Sequence, residues 1–488
     1  MYSFLASDRY KWLRVLAIAT IVSMILYGAV ICIFEIKPFW LDEWCVIYNL
    51  KTMTVTELGG KLEKGQQFPR FYLQVLKCIV QPFDYSYTSL RLPSFFVHAF
   101  GLIFCYFLSG RIFGKDDSYR FFWLLIYASY STSVEYFVQI KQYTMEMLLT
   151  LVALWQLLEL LNTEANKIRL PRFLFLCLVS AIIPFFSYTY PLCFAALCLS
   201  VVLHTRGFKN IFIRSIPLFI GSVGVVVFYI FDVTQVMADQ GMREFWKDYI
   251  LRDGFQLLPY LHNVYSLFGH LGTGVFFEII YGTLGLAGFF HALYQQFKRR
   301  SYTSPFQYIV QYSSFLVIIA IVLASLHKLP LGVHRLNAFA VPTCGILVIN
   351  MLMVLEQKWK KAIPVVYTIL SLALAGNIYQ AFAKAHFSEE AVKKQRIYDN
   401  SKAAISVAEN KHIPIVTTPA VFYPHEDRDG DFAVICHPAY HMKMSLPVYN
   451  AVDTPGLKKI FEDHPELQQL VFIDRYEHSV VQRGAVIK

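Results

Sequence analysis

Long apolar runs, each closed by a short turn rich in Lys and Arg, recur along most of this chain and leave it few folds to adopt. A run of about 20 apolar residues matches the hydrocarbon thickness of a bilayer. Backbone in lipid must satisfy its own hydrogen bonds, so such runs become membrane-crossing helices. Composition agrees: 56% of the 488 residues are hydrophobic, 16% are charged and the mean hydropathy is +0.45, whereas a soluble domain carries about a quarter charged residues. The expected class is an α-helical polytopic membrane protein. The formal charge of +10 would suit nucleic acid if it gathered on one domain, but the basic residues are scattered in short clusters, as the positive-inside rule describes.

The first apolar run, ending near Phe34, follows the basic segment MYSFLASDRYKWLR. It is too long for a signal peptide and has no small-residue cleavage site, so it reads as a signal-anchor with its N-terminus inside. Loop 35–89 then lies outside, and LEKGQQFPRFYLQVLKCIVQPF within it has the spacing of helices lying in the interface. Further spans start at Arg91-Leu92-Pro93, at Phe121 and at Tyr143. Residues 173–203 are too long for one span and fold back at SYTYP. A seventh span reaches Asp232, an outer loop covers 233–273, and four more spans end near Phe382. About eleven spans place RIFGKDDSYR, NKIRLPR, HTRGFKNIFIR, QQFKRRSY and EQKWKK on one side. Residues 1–383 thus form a membrane domain. Residues 384–488 are polar and form a small extracytoplasmic α/β domain, with AVKKQRIYDNSKAAISVAEN as a helix and IPIVTT, FAVICH and QLVFID as strands.

The nine cysteines show no zinc or CxxC spacing, and most lie inside apolar runs as packing residues. Cys45 and Cys78 share the first outer loop and could pair there. In the C-terminal segment His425, Glu426, Asp427, Asp429, Asp431, His437 and His441 are dense enough to suggest a metal, although DRDGD also reads as a solvated turn.

Three constellations could carry chemistry. In KPFWLDEWCVIYN, Asp42 and Glu43 sit among aromatics just after the first span. Carboxylates at the end of a span can be merely solvated, yet an aromatic frame at membrane level is where a carboxylate can act as a general base. EYFVQIKQYTMEM puts Glu135, Gln139, Lys141, Gln142, Tyr143 and Glu146 at one bilayer depth. Interface anchoring explains a Lys and a Tyr there, but not the glutamates and glutamines. In HKLPLGVHRLN, Arg335 stands at a helix start beside His334 and Lys328, suited either to a phosphate or to lipid headgroups. Arg70, after Pro69, is a second candidate for that role.

The ordered set WLDE, FPRFYL, RLPS, RIFG, QIKQYTMEM, SYTYPLCF, REFWKDYI and LPLGVHRL resembles the polytopic GT-C glycosyltransferases. The similarity is to their family-39-like branch, which includes protein O-mannosyltransferases and the lipid A aminoarabinose transferase, and it covers roughly residues 10–380. It implies a GT-C-like membrane fold and a sugar donor on a polyprenyl phosphate. It also implies a lipid-linked glycan, lipopolysaccharide or protein acceptor, membrane lipid partners, no nucleic acid, and a place in the bacterial inner membrane. Carried over, Asp42 becomes the base with Glu43 beside it, and Lys141, Arg335 and Arg70 become donor phosphate ligands. Tyr143, Glu135, Gln139, His334 and Trp246 become substrate contacts. Gln139 stands where many relatives carry an acid, and the first motif is Asp-Glu rather than Asp-x-Asp; the implied mechanism is inverting, metal-independent and without cofactor. The C-terminal segment resembles no family.

Two other classes compete. A transporter or flippase of lipid-linked saccharides should carry ionisable groups deep in its spans and a repeated half; this chain keeps its charges at span ends and shows no repeat. A membrane assembly protein that only binds would make Asp42 dispensable.

Overall fold

The structure is a computed structural model. It describes residues 11–34, 37, 39, 41–63, 66–114, 118–162, 169–205, 208–238, 257–271, 274–298, 304–331, 333–360, 363–387, 389–417, 448–450, 454–473 and 477–486. The long apolar runs among these residues are helices. α1 (Lys11–Phe34) leads into two helices of the first loop, α2 (Leu41–Thr52) and α3 (Arg70–Val80). Then follow α4 (Tyr87–Phe113), α5 (Ser118–Ser129), the short α6 (Ser131–Tyr136), α7 (Tyr143–Asn162), α8 (Leu170–Ile182) and α9 (Tyr190–His204). α10 (Phe208–Phe228) passes through a π-helical turn, Tyr229–Val233, into α11 (Thr234–Ala238). Beyond it lie α12 (Leu257–Gly269), α13 (Val275–Lys298), α14 (Pro305–Ser325), α15 (Val341–Lys358), which a 3-10 segment His334–Ala340 precedes, and α16 (Ile363–Phe387).

Among the described residues, seven helices are long and apolar enough to cross a bilayer: α1, α4, α7, α10 with its extension, α13, α14 and α15. The other expected spans are helical too, but α5, α8 and α9 are short for a 30 Å crossing. Val15, Leu26, Phe107, Phe219 and Phe297 are each more than half exposed. So extensive an apolar belt suits acyl chains rather than water. The chain is an integral membrane protein. In such a protein hydropathy does not rank burial: α1 has the higher mean hydropathy, 2.5 against 1.5 for α7, yet 33% of it is buried against 78% of α7. Close helix packing at the centre depends on Gly288 of α13, where a Cβ would collide with the Leu347 carbonyl of α15. Asn350 ties the same pair by donating to the Gly288 carbonyl at 3.1 Å.

The remaining elements are α17 (Glu389–Lys411), β1 (Ile415–Thr417), β2 (Val448–Asn450), α18 (Thr454–Asp463), β3 (Gln469–Ile473), β4 (His478–Gln482) and the single turn α19 (Arg483–Val486). The sheet order is β2-β1-β3-β4, with β1 parallel to both neighbours and β3 antiparallel to β4, Val471 facing Val480. IPIVTT and QLVFID thus supply β1 and β3, while FAVICH and the acidic, His-containing segment 425–441 lie outside the described residues. Ala404, Ile405 and Ala408 form the buried stripe of α17. They pack with Ile415, Val471 and Ile473 of the sheet and with Trp44, Ile47, Leu50 and Leu73 of the first loop in one core. Cys45 is buried and Cys78 is exposed, and no disulfide joins them.

Candidate active site

α2 opens with Leu41, Asp42 and Glu43, and two carboxylates in a first turn favour the positive end of the helix dipole. Successive residues on a helix point about 100° apart, and that rotation separates the two. Asp42 keeps 30% of its side chain exposed, and Glu43 keeps none. The apolar face of α2, carrying Trp44, Ile47 and Leu50, lies in the core shared with α17, which fixes the rotation.

Three elements meet at Asp42. Its Oδ2 lies 3.7 Å from Lys141 Nζ in the turn before α7 and 3.6 Å from Arg335 of the 3-10 segment. Lys141 is 5% exposed and Arg335 21%. Lys141 also donates to Gln66 Oε1 at 3.1 Å, and Arg335 is hydrogen-bonded to the Tyr136 hydroxyl. Tyr136 meets Tyr143 edge to face at 4.9 Å. The 3-10 segment is held to α7 by Thr150, whose hydroxyl donates to the Phe339 carbonyl at 2.8 Å. Burial pulls Lys141 below the usual lysine range, and the Asp42 carboxylate opposes that pull.

Glu43 turns the other way, into a sealed network. Its Oε1 accepts from Arg91 at 2.5 Å and from the Ile140 N–H at 2.9 Å. Arg91, fully buried, also donates to the carbonyls of Val138 at 3.1 Å and Lys37 at 3.0 Å. Its guanidinium lies 4.2 Å from the Phe39 ring centre and 5.2 Å from that of Tyr87. Lys37 donates to the Glu135 carbonyl at 2.8 Å, and burial, aided by Arg91, pulls Lys37 down to about 8. The pair therefore fastens α2 and α4 to the turn that carries Lys141.

The other expected site residues fall in several places. Arg70 stands apart from the group: its guanidinium donates to the carbonyls of Gly60 and Phe68, each at 2.8 Å. Its backbone N–H donates to Asp232 Oδ2 at 2.7 Å, and Tyr188 donates to Asp232 Oδ1 at 2.6 Å. Glu135 has an exposed side chain, and its carbonyl accepts from Lys37 and Gln139. Gln139 is buried in the turn and donates to that carbonyl at 3.2 Å. Tyr143 is buried behind Arg335. The His334 side chain and Trp246 lie outside the described residues.

Arg91, Gln66, Tyr136, Tyr188 and Asp232 went unnoticed in the sequence as site residues. Arg91 left one usable signal, a charge in the first turn of a span with no acidic residue on its own helix face. Among the described residues no three His, Cys, Asp or Glu side chains gather as metal ligands would. Around Asp42 the neighbours are two cations, which disfavour a divalent ion and favour an anion.

No family model matches the sequence, and no curated protein matches it either. Among solved structures the chain is similar to ArnT from Cupriavidus metallidurans in the apo state, at 14% identity over 98% of each chain with a TM-score of 0.50. It is also similar to that protein bound to undecaprenyl phosphate, at 12% identity over 97% of this chain and 98% of the other, TM-score 0.49. A third neighbour is the Archaeoglobus fulgidus oligosaccharyltransferase complexed with Zn and sulfate, at 13% identity over 93% of this chain and 67% of that one, TM-score 0.49. Identities this low speak to fold alone, and apo ArnT carries the comparison. The chain, a helical bundle in which the first loop and the small sheet are packed together, shares its fold with ArnT.

Proposed function

We propose that the chain is a membrane glycosyltransferase that moves one sugar from a polyprenyl-phosphate donor to a hydroxyl acceptor, with inversion, on the extracytoplasmic face of a bacterial inner membrane. The observation that carries this reading is the meeting of one part-exposed carboxylate, Asp42, with two cations, Lys141 and Arg335, at 3.7 and 3.6 Å. Glycosyl transfer from a lipid phosphate needs a base for the incoming hydroxyl and positive charge for the departing phosphate. Asp42 takes the acceptor proton as the acceptor oxygen bonds to the anomeric carbon. The bond from that carbon to the phosphate oxygen breaks, and its electron pair leaves with the lipid phosphate. Both cation contacts are longer than direct hydrogen bonds, so phosphate oxygens can be received between them. Lys141 and Arg335 act where negative charge develops, in a setting with little water, where fixed charges count for more.

Inversion fits a site where, among the described residues, Asp42 is the one carboxylate paired with the two cations. A double displacement needs a second carboxylate as nucleophile, and Glu43 is sealed against Arg91. Glu43 and Arg91 are positioning residues, and Arg70 is a clasp on the first loop rather than a phosphate ligand. The acceptor is a lipid-linked glycan, a lipopolysaccharide or a protein hydroxyl, and α17 with the sheet, packed on the first loop, serves its recognition.

Asp42→Asn should lower transfer from a purified polyprenyl-phosphate sugar by about 100-fold or more; full activity in that variant would remove Asp42 from the role. Arg335→Ala should raise KM for the donor more than for the acceptor. Equal losses for both would make Arg335 an anchor only.

A further inference from the structure

Among the described residues, buried carboxylates have partners, with one exception. Glu43 has Arg91, Glu159 has Arg111 and Arg172, and Asp232 has Tyr188 and the Arg70 N–H. Glu146, in the first turn of α7, is 3% exposed, and its Oε2 has no hydrogen-bond partner among the described residues. The Oε1 atoms of Gln139 and Gln142 and the Oδ1 of Asn337 share this state, and all three residues are buried. Thr144 and Tyr72 add two unmet hydroxyls.

These groups belong to one neighbourhood. Glu146 donates its N–H to the Gln142 carbonyl at 2.9 Å. The Thr150 hydroxyl bridges the Glu146 carbonyl at 3.1 Å and the Phe339 carbonyl at 2.8 Å, which brings in the 3-10 segment of Asn337. Tyr72 packs against Phe186, ring centres 5.8 Å apart. Phe186 and Met145 both border the core that holds Tyr72 and Ile140. Glu146 lies three residues into α7 from Tyr143, a rise of about 4.5 Å.

Each unmet buried polar atom in a membrane bundle calls for an explanation, and a ligand is one that accounts for several at once. The side-chain acceptors here, two glutamine oxygens, one asparagine oxygen and a carboxylate, outnumber the hydroxyls, so the ligand must donate. We propose that these groups form the subsite for the donor's sugar, with Glu146 accepting from a pair of adjacent ring hydroxyls, so that an uncharged sugar is taken and a uronic acid is refused. The inference rests on the glycosyltransferase reading above. A carboxylate-bearing sugar would bring a charge that this set of acceptors cannot meet where water is scarce, and each acceptor would lose its donor.

The test uses the full chain in nanodiscs and three kinds of lipid: undecaprenyl phosphate bare, bearing glucose, galactose or mannose, and bearing the matching uronic acid. Direct binding is measured without acceptor, and transfer is measured with it. Wild type should prefer its best neutral sugar over the matching uronate by about 100-fold or more. Glu146→Gln should lose about tenfold in affinity for that neutral sugar lipid, narrow the preference against the uronate, and bind the bare lipid unchanged. Glu146→Leu, which fills the volume without polarity, should hold the melting temperature of wild type and lose the sugar lipid further. Wild-type binding and transfer in both variants would overturn the subsite while leaving the transferase standing. A wild type that binds none of the three kinds of lipid and transfers nothing would overturn both readings together.

Discussion

At Asp42 and Glu43 a single step of helical rotation divides two identical chemical groups between a cleft with two cations and a sealed pair with Arg91. Adjacent letters could not announce that division, because it depends on which face of α2 the core claims. Lys141 gives the sharpest residue-scale prediction. Burial is the largest cause holding it below the usual lysine range of about 10.4. A lysine lowered in this way is charged at low pH and loses its charge early as pH rises. With Lys141 holding donor phosphate, kcat/KM should fall on the alkaline side below the ordinary lysine range. Lys141→Arg keeps its charge to about pH 12 and beyond, so the alkaline limb should move up even if the rate is lower. A limb that stays in place after the exchange would belong to another group.

Elements meet through Arg91, which links α4 to α2 and to the turn before α7. Both partners of the Glu43–Arg91 pair are fully buried, so removing one leaves an uncompensated charge. Glu43→Gln should cost about 3–5 kcal/mol in unfolding. The double variant Glu43→Leu with Arg91→Met should recover most of that stability. Transfer should stay impaired in the double variant, because Ile140, Val138 and Lys37 lose the groups that hold their backbone. Recovery of kcat along with stability would make the pair a matter of stability alone. Asp232 does a similar job in another place: from a π-helical turn, a feature common at functional sites, it holds the Arg70 end of the first loop and the Tyr188 hairpin together.

At the scale of the molecule, the first loop and the polar C-terminal residues share one core, with Trp44, Leu73, Ile405 and Val471 in contact through it. Ile405→Ala, at a position 1% exposed, should cost about 2–5 kcal/mol and lower transfer along with stability, since α2 and Asp42 rest on that core. Loss of stability with unchanged transfer per folded molecule would separate the two layers. Hydropathy and the spacing of basic turns determined by themselves that the chain is a bundle of membrane helices, because lipid accepts only backbone that satisfies itself. They also pointed to Asp42, Lys141 and Arg335, since charge at a span end is costly enough to stand out. Only the tertiary structure decided that these three meet, that Glu43 belongs to Arg91 and that Arg70 clasps backbone. It alone showed Glu146 buried with an unmet oxygen. Charge and burial along a sequence are local, whereas a partner on another helix is chosen by packing.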